Sequence, residues 1–301
     1  MILLRLFADH LLPILLAAGA GYALAAALRL DARGFTSVAF NLFAPCWIFQ
    51  TIMDSHVPGE AIARMAGFAV AAIAAPALVA FAIARWRRWP RPLTSAVVLC
   101  ALLPNAGNYG LSANLLAFGD DGLTFATLFF VTSSIVTYTA GVMIASLGRM
   151  DLPSAMRGLA RVPTLWAVVV ALATRGLDLA LPTPAARAVA LLAQACIPAF
   201  LVILGMQLRG ATLRGPTRPI LLASGLRLVG GVAAGFALAP LFGLSGPARQ
   251  AGIFQSAMPT AVITTIIATE YDVEPKLVSA VVLLTTLLSP FTLTPLLAAL
   301  R

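Results

Sequence analysis

Ten apolar stretches follow one another along the chain, each bounded by charged or turn-forming residues. Most reach the roughly 20 residues that a helix needs to cross a hydrocarbon core about 30 Å thick. A strand of a membrane barrel would instead alternate apolar and polar residues over about ten positions. The pattern predicts an all-α membrane protein with ten transmembrane helices, at residues 11–28, 34–53, 65–84, 93–118, 123–147, 162–174, 188–208, 219–242, 251–269 and 277–300. The sixth is the weakest, because Arg175 and Asp178 interrupt it before about residue 181.

The composition is that of a chain whose surface is covered by lipid. Hydrophobic residues make up 60% of the sequence and charged residues only 10%, whereas soluble domains carry about 25% charge. The net charge of +9 comes from basic residues scattered between the apolar stretches, without a basic helix or an aromatic platform for bases. We therefore expect a lipid bilayer around the protein and no nucleic acid as a partner.

The three cysteines, Cys46, Cys100 and Cys196, all fall inside apolar stretches, and none has CxxC spacing. This placement predicts that the cysteines are small buried hydrophobic residues and do not form a metal or redox motif. We expect no metal site and no cofactor.

Lysine and arginine residues are unevenly divided between the two sides of the predicted helices. Six lie on one side and Arg227 lies within the eighth stretch. The larger group is Arg29, Arg33, Arg85, Arg87, Arg88, Arg91, Arg149, Arg157, Arg161, Arg209, Arg214, Arg218 and Lys276. Because basic residues accumulate in cytoplasmic loops, this group predicts the cytoplasmic side of a cell inner membrane, with both termini on the outer side. The first stretch lacks a basic region and a cleavage site, so we expect it to be retained.

Residues of the first half recur in the second half at a nearly fixed offset. Asn41 and Pro45 match Gln194 and Pro198, 153 positions later. The same offset relates Thr132, Ser133 and Thr139 to Thr285, Thr286 and Thr292. The two halves, residues 1–150 and 151–301, each hold five predicted spans, so the second copy enters the membrane from the opposite side. An inverted repeat of this kind is typical of alternating-access carriers, with the substrate site at the midplane.

The fourth span contains the segment Leu-Pro-Asn-Ala-Gly-Asn-Tyr-Gly-Leu at residues 103–111. Proline removes a helix hydrogen bond and glycine tolerates non-helical backbone, so Pro104, Gly107 and Gly110 predict a broken helix. The ninth span carries Pro259 in a corresponding mid-membrane position. Paired interruptions of this kind indicate a transporter site. A proline kink, with asparagines that bond neighbouring helices, is the alternative.

Residues 105–111, Asn-Ala-Gly-Asn-Tyr-Gly-Leu, followed by Ala-Phe-Gly at 117–119, resemble the central motif of the auxin efflux carrier family. That family includes bacterial permeases and the plant PIN-FORMED proteins, and it is distantly related to bile acid/sodium symporters. Leu12-Pro13 with Gly19 and Gly21, the Leu30-Asp31 turn and residues 41–45 also resemble it. The sequence departs from the family at Ser112, where many members have proline. The ninth span also lacks the acidic residue of the sodium-dependent relatives, which argues against sodium coupling.

The resemblance implies crossed broken helices 4 and 9, a scaffold domain of helices 1, 2, 6 and 7, and a transport domain of helices 3–5 and 8–10. It further implies a homodimer and a small organic anion as substrate, for example a dicarboxylate such as malonate or malate, or an auxin-like carboxylate. The transport domain would carry the substrate by an elevator-type rigid-body shift.

Amide side chains and half-helix N-termini at the crossing are suited to bind a carboxylate. We expect the helix-crossover residues to be Pro104, Gly107, Gly110 and Pro259. The expected substrate-binding residues are Asn105, Asn108, Ser112, Gln255 and Thr260, with Asn41 and Gln194 facing the same cavity from the scaffold.

Two charged residues are candidates for anion binding or proton coupling. Arg227 lies about nine residues into the eighth span, where a charge costs at least about 2.5–3.5 kcal/mol. It either meets the substrate anion, snorkels to the surface or pairs with a backbone carbonyl. Asp54 is either a proton-linked carboxylate at the cavity mouth or a solvated loop residue. His10 and His56 lie near the outer surface. Coupling to a proton gradient, to a sodium gradient or to neither remains open.

A channel and a non-transporting sensor are the alternatives to a carrier. An intramembrane hydrolase would need a nucleophile with a base in reach, and Ser112 has no Lys or His at a suitable spacing. We therefore expect that the protein is not an enzyme.

Overall fold

The computed structural model describes residues 1–55, 57–147 and 152–301, and these residues fold almost entirely into helices. We number the helices in chain order. They are α1 (Ile2–Leu28), α2 (Ala32–Asp54), α3 (Gly59–Trp86), α4 (Arg91–Leu102), α5 (Ala106–Ala145), α6 (Leu152–Leu159), α7 (Pro163–Gly176), α8 (Thr183–Leu208), α9 (Thr217–Leu238), α10 (Gly246–Ser256), α11 (Ile263–Glu270) and α12 (Pro275–Leu300). Arg149 and His56 lie outside the described residues.

Seven of the described helices, α1, α2, α3, α5, α8, α9 and α12, are long and apolar enough to cross a membrane. Two further apolar helices are shorter: α4 has 12 residues and α7 has 14. The helix α7 matches the sixth predicted span at residues 162–174 and does not continue to about residue 181. The prediction of an all-α protein with several apolar spans is confirmed at this level.

Helix α5 is bent at Gly119, which separates a first arm (106–118) from a second arm (120–145). Gly119 has φ 65° and ψ −159°, a combination that is essentially restricted to glycine because a Cβ atom would clash with the backbone. The bend falls between the fourth and fifth predicted spans, so it separates the segments that the sequence assigned to two helices.

Five π-helical turns widen helices in the described ranges, at residues 7–11, 39–43, 106–111, 137–141 and 226–230. The first two lie directly before the Leu12-Pro13 and Ala44-Pro45 steps. A proline lacks the N–H that would close the preceding α-turn, so the wider turn lets the helix continue. Three of the five turns border the cavity described below, as is frequent for π-bulges.

The helices pack as two bundles. In the first bundle, α8 lies along α1, and both α7 and the first half of α8 pack on α2. In the second bundle, α3 packs on α4, α5, α9 and α10, while α12 packs on α4, α9 and α11. Large apolar side chains such as Trp166, Leu191, Leu241 and Phe291 remain exposed on the outside. Lipid is the solvent that such a surface requires.

Candidate functional site

The two interrupted helices meet at their interruptions. Helix α4 ends at Leu102 and α5 begins at Ala106, while α10 ends at Ser256 and α11 begins at Ile263. The Asn105 N–H donates to the Pro259 carbonyl over 2.7 Å, and the Ala261 N–H donates to the Leu103 carbonyl over 2.8 Å. This short antiparallel bridge pairs backbone groups that a broken helix would otherwise leave unsatisfied inside the protein.

Two residues of the ninth predicted span, Gln255 and Thr260, stabilise this crossing through hydrogen bonds. The Thr260 hydroxyl donates to the Cys100 carbonyl over 3.0 Å, and the Thr260 N–H donates to the Thr285 hydroxyl over 3.1 Å. The Gln255 amide donates to the carbonyls of Ala106 and Ala126 over 3.1 and 3.2 Å. Both Gln255 and Thr260 are fully buried, and their polar groups hold backbone in place.

Gln255 reaches these carbonyls because Gly110 has no side chain. A Cβ atom at Gly110 would overlap the Gln255 side-chain amide. Gly110 is therefore a packing residue of the crossing, because it leaves room for the Gln255 side chain.

A cavity of about 1080 Å³ lies between the two bundles. Its lining comes from the start of α2, the end of α8, the crossing, both arms of α5, and from α11 and α12. Apolar walls are formed by Phe40, Phe130, Tyr138 and Met206. Polar lining groups are Thr36, Ser37, Asn41, Asn105, Asn108, Ser133, Ser134, Thr137, Gln207, Thr265, Thr269 and Ser279. The chamber is large enough for a drug-sized ligand and combines an apolar wall with convergent polar groups.

Asn105 and Asn108 are the polar side chains at the inner end of this cavity. They are only 4% and 5% exposed. The Nδ2 atom of Asn105 and the Oδ1 atom of Asn108 have no hydrogen-bond partner among the described residues. A buried amide atom left in this state costs about 1–3 kcal/mol, so the pair presents an open donor and an open acceptor to whatever enters.

Both asparagines stand at the N-terminal end of the first arm of α5. Asn105 is the residue that precedes its first turn, and Asn108 lies within that turn. The N-terminus of a helix carries free N–H groups and a partial positive charge, which favour an anion. The Asn105 Nδ2 donor and the helix end therefore both favour an anion, while the Asn108 Oδ1 acceptor is suited to a donor group on the ligand.

The mouth of the cavity is lined by charged residues of both signs. Arg33 pairs with Asp31 at 3.7 Å, and both are largely exposed. The Arg209 guanidinium donates to the Ala25 carbonyl over 2.5 Å, and Glu270 lines the same end. The exposed part of the described lining is therefore polar and mixed in charge. Its carboxylates, Asp31 and Glu270, are exposed, whereas Asn105 and Asn108 are buried.

The structure brings together part of the predicted site. Asn41, Pro104, Asn105, Gly107 and Asn108 line the cavity. The lining leaves out Ser112, Gly110, Gln255, Pro259, Thr260, Gln194, Arg227 and Asp54.

Ser112 and Gln194 have a different environment from the one expected, while Asp54 and Arg227 match one of the alternatives stated for each. Ser112 is buried behind the cavity, without a partner for its hydroxyl among the described residues. Gln194 is exposed on the outside of α8. Asp54 is exposed at the last residue of α2, whereas the start of that helix borders the cavity. The Arg227 guanidinium is buried and donates to two backbone carbonyls, which is the alternative of pairing with a backbone carbonyl.

Two groups of cavity residues were missed from the sequence. Gln207 lines the cavity with its Oε1 unpaired among the described residues, and its Nε2 makes a long 3.3 Å bond to Thr36. Gln207 lies within the seventh predicted span at residues 188–208, and a polar residue within a span was the available signal. Ser133 and Thr137 line the wall from the second arm of α5, and their spacing of four, which places them on one helix face, was the available signal.

In the described part of the chain, no group of three His, Cys, Asp or Glu residues is placed to hold a metal ion. The cysteines Cys46, Cys100 and Cys196 are free thiols. Besides the charged residues at its mouth, the cavity offers amide, hydroxyl and backbone groups.

Comparison with known proteins places this architecture in a defined family. A family model described as "Membrane transport protein" matches residues 6–297. An uncharacterized transporter of Methanothermobacter thermautotrophicus is 25% identical over 264 residues, which cover 86% of each chain. An uncharacterized transporter of Methanocaldococcus jannaschii is 25% identical over 197 residues, 64% of each chain. The expected resemblance to the auxin efflux carriers is confirmed, and the family is one of transporters rather than enzymes.

Proposed function

Because this chain belongs to the membrane transport protein family, whose members resemble the auxin efflux carriers, we propose that it is a secondary transporter of a small organic anion. The observation that carries the proposal is the pair of buried asparagines, Asn105 and Asn108, with unpaired amide atoms at a helix N-terminus inside a 1080 Å³ cavity. A carboxylate would accept from the Asn105 amide and gain from the helix end. The apolar wall would cover the rest of the anion.

The chemistry of the lining favours a carboxylate attached to an apolar or mixed body. Phe40, Phe130 and Met206 supply apolar contact, and Ser133, Thr137 and Gln207 supply further hydrogen bonds. Dicarboxylates such as malonate or malate would use the polar wall for the second carboxylate, while an auxin-like carboxylate would use the aromatic wall. Lipid bilayer and a second copy of the chain are the other partners that we propose.

We place the helices in the membrane as ten spans in two inverted five-helix repeats, residues 1–150 and 151–301. The fourth span is α4 with the first arm of α5, the fifth is the second arm, and the ninth is α10 with α11. Arg33 and Arg209, at the cavity mouth, belong to the larger group of basic residues. The positive-inside rule then puts both termini on the outer side of the inner membrane and opens the cavity to the cytoplasm.

The position of the cavity between two bundles supports an elevator-type mechanism. Helices α2 and α8 of the first bundle form one wall, and the crossing with α5, α11 and α12 of the second bundle forms the other. The first bundle would act as scaffold, in a homodimer. The second would carry the crossing and its bound anion across the membrane as a rigid body, which exposes the same site to each side in turn.

Uptake into proteoliposomes tests the proposal. We would supply labelled malonate, malate and indole-3-acetate outside vesicles that contain folded protein, with empty vesicles as the control. We expect saturable uptake of at least one anion. No uptake of any anion by folded protein would contradict the proposal, and binding without uptake would support a sensor.

A further inference from the structure

Arg227 lies in the middle of α9, and its side chain is 0% exposed. Its Nη1 donates to the Ala101 carbonyl over 2.7 Å, and its Nη2 donates to the Ser256 carbonyl. The ion pairs found in the described part of the chain are Arg33–Asp31 and Arg64–Glu60, so Arg227 has no carboxylate partner there. A full positive charge is therefore held in the protein interior by backbone oxygens.

The two carbonyls that bind Arg227 both lie at the C-terminal end of a helix. Ala101 is in the last turn of α4, and Ser256 is the last residue of α10. Each helix end carries free carbonyl groups and a partial negative charge, which favour a cation. The guanidinium thus bridges the C-terminal ends of both half-helices at the crossing. A planar group with several donors in a fixed fork is suited to this geometry, whereas a lysine ammonium is a single point charge.

In carriers with broken helices, half-helix C-termini and unwound carbonyls are where a coupling Na⁺ is coordinated. In this protein a side chain already supplies positive charge at those ends. We propose that Arg227 is a tethered cation that replaces a coupling sodium ion at the crossing, so that transport is independent of sodium. The inference rests on the proposed function, because it concerns how that transport is driven.

The position of Arg227 also explains how the crossing can interact with charges of both signs. The N-terminal end of the first arm of α5 faces the cavity through Asn105 and Asn108, where it would meet the substrate anion. The C-terminal ends of α4 and α10 face Arg227, outside the cavity lining. Further contact between α9 and α10 comes from the Ser256 hydroxyl, which donates to the Gly231 carbonyl over 3.1 Å. The cation is thus fixed to the half-helices rather than bound and released with each cycle.

The first test is uptake by the unmodified protein with Na⁺ on the outside, or with K⁺ or N-methylglucamine in its place. We expect the initial rate to agree within about twofold in the three media. A rate that falls tenfold or more without Na⁺ would overturn the inference. If no anion is taken up in any medium, the proposed function fails first, and the second test decides on Arg227.

The second test is chemical rescue of Arg227→Ala, with Arg218→Ala as the matched control. Arg218 lies in the first turn of the same helix and is exposed. We expect Arg227→Ala to lower the melting temperature, and millimolar guanidinium to restore much of the loss, with recovery of uptake. Na⁺ at the same concentration should do less, and Arg218→Ala should respond to neither ion.

Arg227→Met keeps much of the side-chain volume without the charge, so it separates packing from charge. We expect it to lose uptake at least tenfold. The inference is overturned if Arg227→Met is as stable and as active as the unmodified protein, or if guanidinium raises the stability of Arg227→Ala no more than that of Arg218→Ala.

Discussion

Replacing Asn105 and Asn108 together with alanine is expected to weaken binding of the transported anion about tenfold or more. Asn105 presents an unpaired, buried Nδ2 donor to the cavity, whereas the unpaired atom of Asn108 is the Oδ1 acceptor, which a carboxylate cannot bond. A hydrogen bond to a charged group contributes about 1.5–3 kcal/mol. Loss of the bond from Asn105 therefore costs about 1.5–3 kcal/mol, and every 1.4 kcal/mol is about a tenfold change in affinity. Equilibrium binding of the labelled anion to purified protein measures the effect.

Asn114→Ala is the matched control for this double variant. Asn114 lies on the same arm of α5 and is 0% exposed, but it does not line the cavity. Its Nδ2 donates to the Gly110 carbonyl over 2.7 Å, and its Oδ1 is unpaired among the described residues. We expect it to lower the melting temperature and to leave the affinity within about twofold. Unchanged affinity in a folded Asn105/Asn108 double variant would exclude these residues as the binding site.

Gly205→Ala is expected to destabilise the protein by about 3 kcal/mol, the upper part of the range for overpacked core positions. Gly205 of α8 lies against the backbone of α1, and a Cβ atom there would overlap the Ala18 carbonyl. In the same contact, a Cβ atom at Gly21 would overlap the Val202 carbonyl. Small residues allow such close approach of two membrane helices, and a methyl group would force α1 and α8 apart. Thermal unfolding in detergent measures the loss.

Gly19→Ala provides the control, because an added Cβ atom would meet nothing within 4 Å. Alanine favours helix over glycine by about 0.5–1 kcal/mol, so this variant should be as stable as the unmodified protein or slightly more so. Equal melting temperatures for Gly205→Ala and Gly19→Ala would show that the close contact of α1 and α8 is absent from the protein in solution.

The sequence predicted the helical membrane class, the interruptions at Pro104 and Pro259 and the asparagines beside them, because each has a local signature. Apolar runs, prolines and mid-membrane amides can be read one segment at a time. The sequence did not separate Gly19 from Gly21, since both are glycines of α1 and only packing against α8 distinguishes them.

The residues that line the cavity were harder to predict for a related reason. A polar side chain within a span needs a partner, but its own segment does not reveal whether that partner is a ligand or backbone from another helix. The side chains of Gln255 and Thr260 donate hydrogen bonds to backbone carbonyls across the crossing. The Arg227 side chain does the same. Gln207 makes one long hydrogen bond, to Thr36, and lines the cavity. The assignment depends on contacts between distant segments.

Counterflow is the measurement that tests the central claim most directly. Proteoliposomes are loaded with a high concentration of the unlabelled anion that gave saturable uptake, and a trace of labelled anion is added outside. A carrier with one alternately exposed site is predicted to accumulate label transiently above its equilibrium level, and the Asn105/Asn108 double variant should not. Simple equilibration of label without an overshoot would contradict the account and indicate a channel.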